Sequence, residues 1–355
     1  MHLINESFNE NTKCFFLTFC YWAESKGQSS TRFGSEWQYG FIIPHAADLK
    51  GVADSYPVGW TLSWQSMGTS KRNWEACNCF HYLGLHLSYI DLGNKDVLGQ
   101  AYSFSGSFEP VLWRNHHWSL NLSSGIGLVY LNRIHHPDTN PLNNFFSSHL
   151  SFLLFVAPAL EYRLSDSWGA RLSVNYNHIS NGGQKQPNRG MNFPQVGLGL
   201  NHFLDKKDLP EYEALENRKH WFWGIESGIT TRKTGNGNRR EPSLSFAGHV
   251  SKVLSRVNGL AAGAELELDY SAGGHEQPIS APFLVHSFLP GRFVFSQRMA
   301  WYLSKPEDVF ENFRFYQRYV LMFNLISGLD IGVSLKAHGH TASNIDFRLG
   351  WRFDQ

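Results

Sequence analysis

In the stretch VNYNHISNGGQKQPNRGMN, Val174 to Asn192, a histidine and a serine stand two residues apart, His178 and Ser180, with Asn181, Gly182 and Gly183 directly behind them. An imidazole within reach of a hydroxyl can take its proton while the oxygen attacks an acyl carbon. On a β-strand, residues two apart rise from one face with Cα atoms ~6.5–7 Å apart, a gap the ring can lean across. The Asn-Gly-Gly behind the serine can bend sharply, and its amide groups could face a developing oxyanion. A bare His-x-Ser is weakly specific in a chain with 17 histidines, and the competing reading is an interfacial polar pair at a strand end. The direction in which the two side chains point decides between these readings, and the surrounding elements set that direction.

The chain has 355 residues, of which 42% are hydrophobic, 15% aromatic and 17% charged. Mean hydropathy is −0.32. The charged share lies below the roughly 25% typical of soluble domains. A net charge of +1 without a basic run gives nucleic acid no footing as a partner. The most apolar run, FLLFVAPAL (Phe152–Leu160), is half of the ~18 residues a membrane helix needs. A helical membrane protein is thereby excluded, while a β-barrel, whose strands are only half apolar, is not. Residues 1–28 contain KCFFLTFCYWA (Lys13–Ala23), a basic residue and a short apolar core that fit a secretory signal, although Glu6 and Glu10 are untypical of one. Cys77 and Cys79 offer too few ligands for a zinc site and an awkward spacing for a disulfide, so they read as structural or incidental, and no metal or other cofactor is expected.

Period-two segments recur from about Ser30 to the C-terminus. In GLAAGAELELDY (Gly259–Tyr270), Leu260, Leu266 and Leu268 oppose Glu265, Glu267 and Asp269. Segments of ten residues or more suit tilted membrane-spanning strands, and Trp37, Trp60, Trp118, Trp168, Trp221, Trp223 and Trp301 fall near segment ends, as interfacial girdles would. The closing segment NIDFRLGWRF (Asn344–Phe353) alternates into a terminal aromatic, and connections alternate between longer and shorter. The fold expected is all-β, a transmembrane antiparallel β-barrel of roughly sixteen strands, either one large barrel or two eight-stranded halves. The charged stretch 205–219 divides residues 30–204 from a second barrel region at 220–355, which reads as a possible degenerate repeat of the first.

Within Trp168–Ser180 the hydrated lumen must take Arg171, Asn175 and Asn177, so Leu172, Val174, Tyr176, His178 and Ser180 face lipid. In NFPQVGLGLNHFL, Val196, Leu198 and Leu200 face lipid, and the same parity sets Asn192 beside the His178 strand. Three polar groups thus converge on a wall that should be apolar.

HISNGGQKQPNRGMN (His178–Asn192), followed by an alternating closing strand, resembles the PagL-type outer-membrane lipid A 3-O-deacylases, whose signature is His-x-Ser-Asn, a small-residue loop and a final strand. The resemblance implies an eight-stranded barrel that removes the ester-linked acyl chain at position 3 of lipid A without a cofactor, through a Ser-His-Glu triad on its lipid-facing wall. Carried across, Ser180 is the nucleophile, His178 the base, and Asn181 with the Gly182 and Gly183 backbone the oxyanion support. The family's glutamate, twelve residues after the serine, falls on Asn192, which is a departure. An amide carbonyl can hold the imidazole tautomer but stabilises the imidazolium less than a carboxylate. The implied outcome is a slower enzyme or an orienting acid from elsewhere, with Asp138 the substitute within the neighbouring loop. Lys185 and Arg189, above the serine, are placed to attract the phosphates of a glycolipid.

Two functions compete. One is an outer-membrane esterase acting on lipid A of lipopolysaccharide, surrounded by membrane lipids, with a homodimer as one assembly open to it. The other is a non-enzymatic barrel, a porin or a surface lipid-binding or adhesion protein with a residual site. The carboxylates Glu265, Glu267 and Asp269 would suit a hydrated channel.

Overall fold

The computed structural model describes residues 29–354 apart from 76, 206–208, 214–218, 235–238, 256, 273–277, 290–291, 306–312 and 340, so the secretory-signal segment 1–28 lies outside the described residues. Sixteen antiparallel strands close into two separate eight-stranded barrels. The first holds β1 (Ser29–Gly40), β2 (Val58–Gly68), β3 (His81–Asp91), β4 (Gln100–Arg114), β5 (Trp118–Leu131), β6 (Leu150–Arg163), β7 (Trp168–Ser180) and β8 (Met191–Phe203). The second holds β9 (Trp221–Lys233), β10 (Arg240–Val253), β11 (Asn258–Asp269), β12 (Ile279–Phe288), β13 (Phe293–Trp301), β14 (Phe315–Ile326), β15 (Leu329–His338) and β16 (Thr341–Asp354). β1 pairs with β8, and β9 with β16, so neither sheet has an open edge. Among the described residues, no helix is long and apolar enough to cross a membrane.

The alternation of each strand becomes two walls. On β7, Leu172, Val174 and Tyr176 are exposed while Ser173, Asn175 and Asn177 are buried. All seven tryptophans expected in girdles are exposed. The antiparallel order places Trp37, Trp60 and Trp301 at one end and Trp118, Trp168, Trp221 and Trp223 at the other.

Both interiors are filled with ion pairs. In the first barrel, Arg32 meets Glu109 and Glu161, each at 2.7 Å, and Arg171 meets Glu109 at 2.9 Å. In the second, Glu265 receives Arg318 at 2.7 Å and Arg348 at 3.2 Å, Glu267 receives Lys336 at 2.7 Å, and Asp269 pairs with Arg232. The carboxylate row of β11 is therefore not a hydrated channel lining, because cations from β9, β14, β15 and β16 neutralise it across the lumen. A carboxylate and a guanidinium removed from water together retain their charges only when each satisfies the other, which explains the dense pairing.

At the end of the first barrel opposite the candidate site, the β2–β3 connection breaks the pattern of short turns. It carries a helical turn, Lys71–Glu75, and a Cys77–Cys79 disulfide. The expected difficulty of bridging residues two apart is removed by Asn78, whose φ of 53° folds the chain and brings the Cα atoms to 5.1 Å. The linker packs here: Trp74 and Phe80 meet Tyr212, and Arg114 donates to the Leu209 carbonyl oxygen at 3.1 Å.

Candidate active site

An apolar plug fixes the direction of the candidate residues. The inward side chains at one end of the first barrel, among them Ile179, Met191 and Phe193, pack with Leu49, Leu98, Phe145 and Phe146 from the loops and are fully buried. Burying Ile179 inward obliges His178 and Ser180 to point outward, and burying Met191 and Phe193 does the same for Asn192. A one-residue slip of either strand would exchange a buried apolar side chain for a polar one, so the plug holds the register.

His178 and Asn192 are direct partners across the β7–β8 ladder, and His178 Nδ1 lies 2.7 Å from Asn192 Oδ1. An amide oxygen accepts, so the ring carries its proton on Nδ1 and presents Nε2 as the bare, basic nitrogen. Among the described residues no carboxylate pairs with His178. Asp138 does not reach it; its backbone N–H instead faces the His136 ring in an exposed loop.

Ser180 is only 6% exposed, because the β7–β8 loop folds back over it. Its Oγ accepts from the Gly182 N–H at 3.1 Å and from Asn188 Nδ2 at 3.0 Å. His178 and Ser180 are not hydrogen-bonded to each other, yet both flank Gly190. A Cβ built at Gly190 would stand 3.1 Å from His178 Cε1 and 3.5 Å from Ser180 Cβ. Gly190 has a φ of +68°, which an L side chain rarely adopts, so a glycine here serves both the turn and the space between base and hydroxyl.

The three residues expected at the oxyanion separate in role. Gly182 N–H reaches the serine oxygen, as above. Asn181 spends its amide on the loop, donating Nδ2 to Ser147 Oγ at 3.2 Å and to the Lys185 carbonyl oxygen at 2.8 Å, while its Oδ1 accepts from Gly183 N–H at 3.0 Å. In this arrangement the side-chain donor at Ser180 is therefore Asn188, which also accepts the Asn181 N–H at 3.2 Å. Nothing in the spacing singles out Asn188, because a loop carries no periodicity to fix where a side chain points. Of the two cations, Lys185 is exposed without an ion pair among the described residues, whereas Arg189 lies 3.4 Å from Asp48.

The second barrel reaches this loop. A Cβ at Gly182 would fall 2.2 Å from Ile345 Cδ1, and one at Gly183 would fall 2.7 Å from the Ser343 carbonyl oxygen. Arg240 donates to the Gln184 carbonyl oxygen at 3.1 Å and to its side-chain oxygen at 2.5 Å.

Two other clusters offer similar atoms. His249 Nδ1 lies 2.8 Å from Ser251 Oγ and its Nε2 lies 3.5 Å from Glu226, but they face the lumen, where Arg298 and Arg348 already saturate Glu226. Cys77, Cys79 and His81 sit within ligand distance of one another, and the disulfide removes both thiolates.

Residues 54–201 match the family model described as lipid A 3-O-deacylase (PagL), and residues 219–355 match that of the acyloxyacyl hydrolase C-terminal domain. The resemblance carried by the His178–Asn192 motif thus extends over most of the first barrel, and the second half matches a family model of its own. Among solved structures, the outer membrane enzyme PagL aligns with 47% of this chain and 97% of its own at 17% identity, with a TM-score of 0.32. A mutant Rh. blastica porin covers 92% of this chain and 100% of its own at 9% identity and a TM-score of 0.22. The ferric enterobactin receptor PfeA covers 86% and 53% at 12% identity and a TM-score of 0.26. No curated protein matches the chain in sequence. With two closed barrels walled by apolar side chains and this family match, the chain is a bacterial outer-membrane protein.

Proposed function

We propose that this chain, matched over its first barrel by the lipid A 3-O-deacylase family, is a serine esterase that removes an ester-linked acyl chain, at the 3-O position, from lipid A in the outer leaflet. The observation that carries this reading is the pairing of Asn192 with His178 Nδ1 at 2.7 Å, beside a serine on the lipid-facing side of β7. A nucleophile on that side can meet an ester only in the membrane.

In the reaction, Ser180 rotates its hydroxyl toward His178 Nε2, which takes the proton as Oγ bonds to the ester carbonyl carbon. The carbonyl π electrons move onto oxygen, and the oxyanion accepts from Gly182 N–H and Asn188 Nδ2, the donors already gathered at Oγ. Collapse breaks the bond to the sugar oxygen, which takes the proton from His178 and leaves as an alcohol. Water then attacks the acyl-serine with His178 again as base, releasing the fatty acid and restoring the serine. Asn192 holds the tautomer throughout but supplies no negative charge to the imidazolium, so chemistry is slower than with a carboxylate in its place. Lys185 lies free at the loop surface to meet a lipid A phosphate; Arg189 does so only by giving up Asp48.

The test is the mass spectrum of lipid A from cells expressing the chain, set against a Ser180→Ala variant. Loss of one hydroxyacyl chain in the wild type alone is the expected result, and identical spectra remove the proposal.

A further inference from the structure

The two barrels are joined by more than a linker. Gly182 and Gly183 both have positive φ, +65° and +79°, and both are pressed by β16. Ile345 occupies the place of a Gly182 side chain, and the Ala342 and Ser343 carbonyl oxygens occupy that of Gly183. Arg240, itself held by Thr231 Oγ1 at 3.0 Å, fixes the next residue, Gln184, through both of its oxygens. Three consecutive residues after Asn181 are thus seated against the second barrel, and the first of them sends its N–H to Ser180 Oγ.

The row below Ile345 continues this relationship. β16 runs from the site end toward the opposite end, and Phe347 follows on the same outward face about 6.5–7 Å further along. Phe347 is 73% exposed, an uncovered aromatic ring on the strand that touches the serine turn. On the first barrel, Tyr176 and Val174 continue the outward face of β7 beyond His178, 47% and 53% exposed. Both outward rows are apolar and start beside the serine turn, and a saturated acyl chain is the ligand that fits walls of this chemistry.

We propose that the second barrel is a working part of the site: β16 positions the turn carrying the Gly182 donor, and Phe347 forms the second wall of the acyl chain's path. This rests on the hydrolase reading above. It gives the second half of the chain a role in the same reaction, with Ile345 acting as a positioning residue.

The test uses the full chain, purified and supplied with lipopolysaccharide in mixed micelles, with released fatty acids identified by mass. Ile345→Ala loosens the turn and lowers kcat roughly ten- to a hundredfold, the scale of a small misplacement of a catalytic donor, while KM stays within about twofold. Ile345→Val restores most of the rate. Phe347→Ala leaves the turn intact, raises KM and broadens the lengths of chain released. Heat-modifiable gel migration verifies that each variant is folded. Wild-type kinetics in folded Ile345→Ala and Phe347→Ala overturn the proposal. Independently of turnover, a folded Gly182→Cys, Ile345→Cys pair, whose Cβ atoms would stand 3.5 Å apart, forms an oxidative cross-link between the barrels in the outer membrane, and failure to cross-link overturns the contact itself. A wild type that releases no acyl chain refutes the hydrolase reading, while the cross-link still decides whether the barrels meet at the serine turn.

Discussion

His178 and Asn192 face each other directly across the β7–β8 ladder, with Nδ1 and Oδ1 2.7 Å apart, where a serine triad would hold a carboxylate. The amide fixes the tautomer and leaves the charge of the imidazolium unbalanced. Asn192→Leu removes the orienting acceptor and lowers kcat, by less than the roughly 3 × 10⁴ lost when a triad's carboxylate is removed, because no charge goes with it. Asn192→Glu restores the charge and raises kcat above the wild type. Steady-state acyl release from lipopolysaccharide by the two variants checks both signs.

Asn188 gives one of the two N–H donors at Ser180 Oγ. Asn188→Ala lowers kcat by about 10²–10³ with little change in KM, as expected of a donor used mainly when charge develops on oxygen. Asn181→Ala acts differently, because its amide ties the loop to Ser147 and Lys185. It raises KM and lowers kcat together, and comparing the two kinetic patterns separates the roles.

Gly190 occupies the space between His178 and Ser180 with a φ of +68°. Gly190→Ala strains the backbone and drives the new methyl group toward the imidazole Cε1. Acyl release falls by at least about tenfold, and reaction of Ser180 with a fluorophosphonate falls with it, while the barrel still shows folded migration on a gel.

Arg318 lies among Glu265, Glu267 and Asp346 in the second lumen. Arg318→Met leaves these carboxylates without a central cation and destabilises the second barrel by about 3–5 kcal/mol, read from urea-induced unfolding. The same filling predicts no ion conductance above background in planar bilayers. Steady single-channel steps would show that the interior is open.

The barrel and its parity were legible because charge alternates strictly with apolar side chains: Arg171, Asn175 and Asn177 could only face water, and that set His178, Ser180 and Asn192 on the other wall. What was not legible depends on contacts without period. Asn188 lies in a loop, where spacing does not fix side-chain direction. Glu265 and Glu267 read as a channel lining because their cations, Arg318, Arg348 and Lys336, are more than fifty residues away in sequence and meet them only when the barrel closes. Ile345 reads as one more lipid-facing residue until the second barrel is placed against Gly182. The Cys77–Cys79 bridge depends on the left-handed backbone of Asn78, which residue spacing does not reveal.

The most direct measurement is mass spectrometry of lipid A from cells producing the wild type, Ser180→Ala or Asn192→Glu. The account predicts a species lacking one hydroxyacyl chain in the wild type, more of it with Asn192→Glu, and none with Ser180→Ala. Equal amounts of the shortened species in the wild type and Ser180→Ala, or none in any of the three, would contradict it.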